Sequence, residues 1–123
     1  MSLRFKILFA LAGAAALSCW VVRRVVVAGE SMVPTLQPGD RLIVTRVRRI
    51  RPGALVLVDD PRPGSDRLLI KRVSGQRGRL VEVLGDNPSS STDTRAFGAL
   101  RRSAIVGSVL YRYAPPERAG RVH

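Results

Sequence analysis

Ser31, in the run Gly29-Glu30-Ser31-Met32-Val33-Pro34-Thr35-Leu36, and Lys71, after Leu68-Leu69-Ile70, are the residues of this chain best able to do covalent chemistry together. A serine hydroxyl is a weak nucleophile at neutral pH and needs a base within hydrogen-bond reach. Histidine, the usual base, occurs only as His123, the last residue, and a chain end is a poor holder of catalytic geometry. A Ser/His/Asp triad is therefore not expected. Lysine can replace histidine where its surroundings are apolar, because burial disfavours the ammonium form. If residues 68–73 form a strand, Lys71 shares a face with Leu69 and Val73. A serine and a desolvated lysine would suffice for a hydrolase.

A blander reading gives these residues structural roles. A lysine at a strand end can snorkel to solvent, and Arg72 shows that the strand tolerates charge. A serine after Gly-Glu can serve a turn or cap a short helix.

The segment from Gly29 to Leu36, followed by Pro38-Gly39-Asp40, resembles the nucleophile box of signal peptidase I. Lys71-Arg72-Val73 with Gly75 and Gly78 resembles the lysine box of that family. Gly85-Asp86-Asn87, followed by Ser91, Asp93, Thr94, Arg95 and Gly98, resembles its last box. The resemblance implies Ser31 as nucleophile, Lys71 as general base, and Ser91 as the hydroxyl that orients the lysine amine. It implies a bracing ion pair between Asp93 and Arg95, a supporting turn at Asp86 and Asn87, and substrate contacts from Met32 and Pro34. The Ser31 backbone N–H would hold the oxyanion. Pockets for small residues such as alanine are implied just before the cleaved bond. No cofactor and no metal are expected.

The chain departs from the family pattern in places. Gly29 stands where some members carry a hydroxyl as second oxyanion donor, and Pro52-Gly53-Ala54 stands where an Arg-Gly-Asp start is usual. Gly75-Gln76-Arg77-Gly78-Arg79 lacks an acidic residue, and Thr94 replaces a serine. Only residues 79–84 separate the lysine box from Gly85, which leaves no space for the large β insertion of longer members. In its brevity the chain also resembles the nickel superoxide dismutase maturation proteases of the same family, which trim one dedicated substrate.

These residues need a scaffold and a location. Ile7 to Val22 carries no charge and is flanked by Arg4 and Lys6 before it and Arg23 and Arg24 after it. At helical rise it spans about 24 Å, and snorkelling basic residues can cover most of the deficit against a core of about 30 Å. Residues 1–24 are thus expected to be a transmembrane helix with basic flanks. A cleaved signal peptide, a buried core helix and a lipidation box at Ala16-Leu17-Ser18-Cys19 are the alternatives. The family places its catalytic domain on the outer face of the cell membrane, whereas charge counting leaves orientation open.

Of the 123 residues, 21 are Lys or Arg and 9 are Asp or Glu, a net charge of +12. Such charge suits anionic headgroups of a lipid bilayer. Nucleic acid is not expected as a partner, because aromatic residues are too sparse for a base-stacking platform. One histidine and one cysteine cannot assemble an ordinary zinc site. Asp59-Asp60 reads as a solvated strand end, and Cys19 can form no internal disulfide.

Runs rich in Val, Leu and Ile predict strands over residues 25–28, 41–47, 54–58, 68–73, 79–84 and 104–113, with Gly and Pro clusters as turns, including 75–78. The expected fold class is all-β: a small signal-peptidase-like barrel or sandwich over 25–113, with a flexible tail over 114–123. The expected function is that of a membrane-anchored serine endopeptidase acting on a preprotein with an N-terminal leader peptide. A basic membrane-surface binding module is the non-catalytic alternative. A self-cleaving repressor would need a DNA-binding domain, for which there is no space.

Overall fold

A computed structural model describes residues 22–46, 49–90 and 98–122. The transmembrane helix expected within residues 1–24 falls, up to residue 21, outside the described residues. Among the described residues no helix is long and apolar enough to cross a membrane.

The described chain is mostly β, with eight strands and three short 3-10 turns. The strands are β1 (Val22–Val26), β2 (Arg41–Thr45), β3 (Leu55–Asp59), β4 (Leu68–Arg77), β5 (Leu80–Leu84), β6 (Leu100–Arg101), β7 (Ile105–Ala114) and β8 (Gly120–Arg121). They form one sheet in the order β1-β2-β7-β3-β4-β5-β6, with β8 added to β7. All pairings are antiparallel, and the sheet curls into a half-barrel.

The centre of the sheet is β3, whose sequence Leu-Val-Leu-Val is buried on both faces. Alternation sends Leu55 and Leu57 into one cluster with Val27, Met32, Leu36, Leu42 and Val44. It sends Val56 and Val58 into a second cluster with Val73, Val81, Val83, Leu100 and Ile105. Two cores, one on each face of β3, thus replace the single interior of a closed barrel.

Boundaries differ from the sequence reading in four places, each with a local cause. Val22, Arg23 and Arg24, assigned above to the anchor and its flank, belong to β1 and pair with Thr45, Val44 and Ile43. β4 runs through the expected turn at Gly75, because an irregularity between Val73 and Gly75 absorbs Ser74. The chain then reverses at Gly78-Arg79, where Gly78 has φ +57°, a conformation costly for other residues. The two-residue strand β6 is too short to leave a period in the sequence.

The fourth difference is the tail. Residues 114–122 do not fray: Arg121 and Gly120 pair with Tyr111 and Arg112, and Val122 packs against the first cluster. Arg118 supplies the polar tether. It forms an ion pair with Asp40 and donates to Gln37 Oε1 at 2.7 Å, while its carbonyl accepts from Arg112 Nε at 2.6 Å.

Candidate active site

Lys71 lies on β4 directly opposite Val56, with Leu69 opposite Val58, so it projects from the face of the second apolar cluster. It is 2% exposed. Full burial of a lysine among valines is uncommon and is the feature that the alternating pattern of residues 68–73 predicts.

Ser31 comes from the connection between β1 and β2. Residues 31–36 form tight turns in which the Leu36 amide donates to the Met32 carbonyl at 2.9 Å and the Val33–Pro34 peptide is cis. Met32 and Leu36 anchor this connection in the first cluster, at 2% and 0% exposure. Ser31 is left half-buried.

Ser31 and Lys71 line one open cavity of about 220 Å³, together with Ala28, Gly29, Glu30, Arg62, Arg67, Leu69 and Ser90. Two residues 40 positions apart in sequence are therefore brought to a common solvent-accessible space. Met32 and Pro34, expected as substrate contacts, do not line it. Met32 is spent on the core, and Pro34 is exposed.

Asp86 and Asn87 tie the serine loop to the lysine strand. The Asn87 amide donates to the Ser31 carbonyl at 2.8 Å, and its Nδ2 donates to the Glu30 carbonyl at 3.0 Å. The Asp86 carboxylate accepts from Thr35 Oγ1 at 2.5 Å and from Arg72 Nε and an Arg72 terminal nitrogen at 2.9 and 2.8 Å. The Asp86 amide contacts Met32 Sδ at 3.5 Å. The Arg72 guanidinium holds the Asp86 carboxyl below the ordinary carboxylate range, with help from Thr35 and against the cost of burial. Asp86 in turn raises Arg72. Arg72, the neighbour of Lys71, thus ties β4 to Asp86 and, through Thr35, to the loop that carries Ser31.

A second carboxylate holds the far end of the serine loop. Asp40, fully buried, accepts from the Gln37 amide at 2.9 Å and from Arg112 at 3.1 Å. Arg112 also donates to the Thr35 carbonyl at 3.0 Å. The arginine partners, Arg112 and Arg118, come from β7 and the tail, so no local sequence pattern announces them.

Asp60 corrects another expectation. It is buried rather than solvated and accepts from the Arg62 amide, the Arg62 guanidinium and Ser65 Oγ. The bonds from Arg62 hold its carboxyl well below the usual range. Among the described residues no group of three or more His, Cys, Asp or Glu side chains could hold a metal ion. Ser91, Asp93, Thr94 and Arg95 lie outside the described residues.

The chain is similar to known proteins over most of its length. The chain is 34% identical over 128 residues to mitochondrial ATP-independent inner membrane protease subunit 1a of Arabidopsis thaliana, covering 82% of this chain and 76% of that protein. It is 31% identical over 153 residues to signal peptidase I of Bacillus caldolyticus, covering 82% and 84%. A probable signal peptidase I-1 of Synechocystis is 27% identical over 143 residues, covering 78% and 73%. The family model described as signal peptidase, peptidase S26, matches residues 2–84, and the chain belongs to that peptidase family.

Proposed function

We propose that this protein is a membrane-anchored endopeptidase that removes N-terminal leader peptides, with Ser31 as nucleophile and Lys71 as general base. One observation carries the reading: a lysine 2% exposed on an apolar strand face opens onto the same cavity as Ser31. The reading requires the neutral amine, the form that can accept a proton.

Lys71 Nζ would take the Ser31 hydroxyl proton as Oγ attacks the peptide carbonyl. The Ser31 backbone N–H would donate to the oxyanion. Collapse of the tetrahedral intermediate breaks the C–N bond, and Lys71 returns the proton to the departing amine. Water then attacks the acyl-serine with Lys71 again as base, freeing the leader carboxylate and restoring Oγ–H. By family resemblance Ser91 orients the lysine amine, and Asp93 with Arg95 braces the segment.

The uncharged run over residues 7–21 would tether the domain beside a membrane-bound preprotein, with the catalytic domain on the outer face. The basic surface of the domain would add attraction to anionic headgroups. An extended substrate segment would enter the cavity, with small residues such as alanine just before the cleaved bond.

The test is cleavage of a leader-bearing preprotein by the full chain in detergent. Ser31→Ala and Lys71→Met should each abolish it while circular dichroism stays unchanged. Undiminished cleavage by either variant would remove the dyad. Absence of cleavage by the wild type across varied leaders would favour a non-catalytic binding module.

A further inference from the structure

The cavity that holds Ser31 and Lys71 is electrically lopsided. Besides Lys71, its described charged walls are Glu30, beside the serine, and Arg62 and Arg67, on the connection between β3 and β4. Arg62 is already matched: its guanidinium bonds both oxygens of the Asp60 carboxylate at distances of 2.5 to 3.0 Å. Arg67 differs. Its backbone is fixed, with the carbonyl accepting from the Asp60 amide at 3.0 Å and the amide donating to Ser65 Oγ at 3.3 Å. Its side chain forms no ion pair among the described residues and is exposed.

Leu69 and Lys71 lie on one face of β4, Arg67 immediately precedes the strand with its carbonyl bonded to the Asp60 amide, and all three line the cavity. Four residues of extended chain span about 13 Å. A substrate strand of similar rise covers that distance in about four residues, or about three once the length of the arginine side chain is allowed for.

Resting on the Ser31/Lys71 reading, we propose that Arg67 is a specificity residue that selects substrates carrying a carboxylate about three to four residues from the cleaved bond. Glu30 works in the opposite sense near Ser31, where it penalises an acidic side chain adjacent to the bond. The preferred substrate class is therefore a leader junction with small residues at the bond and an aspartate or glutamate set back from it. The guanidinium sits on a braced backbone and suits a carboxylate fork.

The experiment uses the full chain in detergent micelles and a panel of fluorogenic peptides with alanine at the first and third positions before the cleaved bond. Asp, Asn or Lys is placed singly at each other position within five residues on either side, and kcat/KM is measured for each peptide. The readout is the Asp-to-Asn ratio within one enzyme variant, which is insensitive to the fraction of enzyme that folds. The wild type should show a ratio of about two to five at one position or an adjacent pair, the range of an exposed ion pair. Salt at 1 M should flatten it. Arg67→Gln should bring the ratio to about one, and Arg67→Glu should invert it in favour of Lys.

A wild-type ratio near one at every position, or a preference that survives Arg67→Glu, overturns the proposal. Ser31→Ala, run on the same panel, tests the underlying reading separately. Retained cleavage there removes the dyad whatever the charge preference shows.

Discussion

The Arg72 guanidinium donates to both carboxylate oxygens of Asp86, at 2.9 and 2.8 Å, one residue along β4 from Lys71. Because side chains alternate on a strand, Arg72 projects from the face opposite Lys71. Asp86 also accepts from Thr35, four residues beyond Ser31. One carboxylate therefore fixes the register between the strand that carries Lys71 and the loop that carries Ser31.

Replacing Asp86 with Ala should lower stability by about 1–3 kcal/mol, because Arg72 and Thr35 both lose an acceptor. It should lower kcat more than it raises KM, since the loss falls on alignment rather than on substrate contact. Urea melts and steady-state kinetics on a leader-bearing preprotein check this. A fall in stability with unchanged kcat would confine Asp86 to the fold.

Acid should weaken the fold through Asp86 and Asp60. Both carboxyls are held below their ordinary value by arginine hydrogen bonds, so at low pH the folded chain binds fewer protons than the unfolded one. Their stabilisation is complete above the unfolded value of about 3.9 and is lost as pH falls through the lower folded values. Tm should therefore fall steeply below about pH 4. The Asp60→Asn variant should melt below the wild type at pH 6 and converge with it toward pH 2. A gap that stays constant from pH 6 to 2 would count against this account.

Residues 114–122 should matter for stability, contrary to the expectation of a fraying tail. Asp40 has no exposed side-chain surface, and Arg118 and Arg112 both pair with it. Arg118→Ala leaves Arg112 in place, so the cost should be about 1–3 kcal/mol rather than the full penalty of a buried unpaired charge. Truncation after Ala114 should cost more, because it also removes β8 and the packing of Val122. Thermal melts of the two variants decide between this and a tail that contributes nothing.

Local pattern made much of the site legible. The apolar alternation around Lys71, the Gly-Asp-Asn turn and the strands near residues 41–45, 55–59 and 80–84 each depend on neighbours within a few positions. The clamp on Asp40 does not. Its partners lie 72 residues away in Arg112 and on the segment that reaches Gln37 across 81, and an arginine-rich chain offers many equivalent candidates. Arg72 was hidden for the same reason: in a basic chain one more arginine carries little information until its carboxylate is located. Burial of Met32 in the first cluster was not legible, because a local motif says nothing about which way a turn points its side chains.

The approach of β7 to β2 sets a steric limit that can be tested away from the cavity. Gly107 is buried, and a Cβ there would lie 2.6 Å from Val44 Cγ1 and 2.7 Å from the Thr45 carbonyl oxygen. The valine methyl could shift, but the carbonyl belongs to the paired backbone of β2. Gly107→Ala should cost about 1–3 kcal/mol through overpacking. Equilibrium unfolding with no loss of stability would mean that the two strands separate more freely than their pairing implies.

Asn87 offers the sharpest separation of alignment from stability. Its backbone amide holds the Ser31 carbonyl and its side-chain amide holds that of Glu30, so only the second bond is removed by substitution. Asn87→Ala leaves the carbonyl of exposed Glu30 with the Val33 amide as donor and open to water, and stability should change by less than about 1 kcal/mol. The carbonyl of the Glu30–Ser31 peptide would lose one of its two donors, however, keeping only the Val33 amide at 3.2 Å, and the N–H proposed to donate to the oxyanion belongs to that peptide. A misplacement of about 1 Å can cost about a hundredfold, so kcat should fall about ten- to hundredfold with KM little changed. Asn87→Asp, which presents a second acceptor to the Glu30 carbonyl, should fall at least as far. If both variants kept wild-type kcat, the Glu30–Ser31 peptide would be held adequately by the Val33 amide, with the Asn87 backbone holding the next carbonyl.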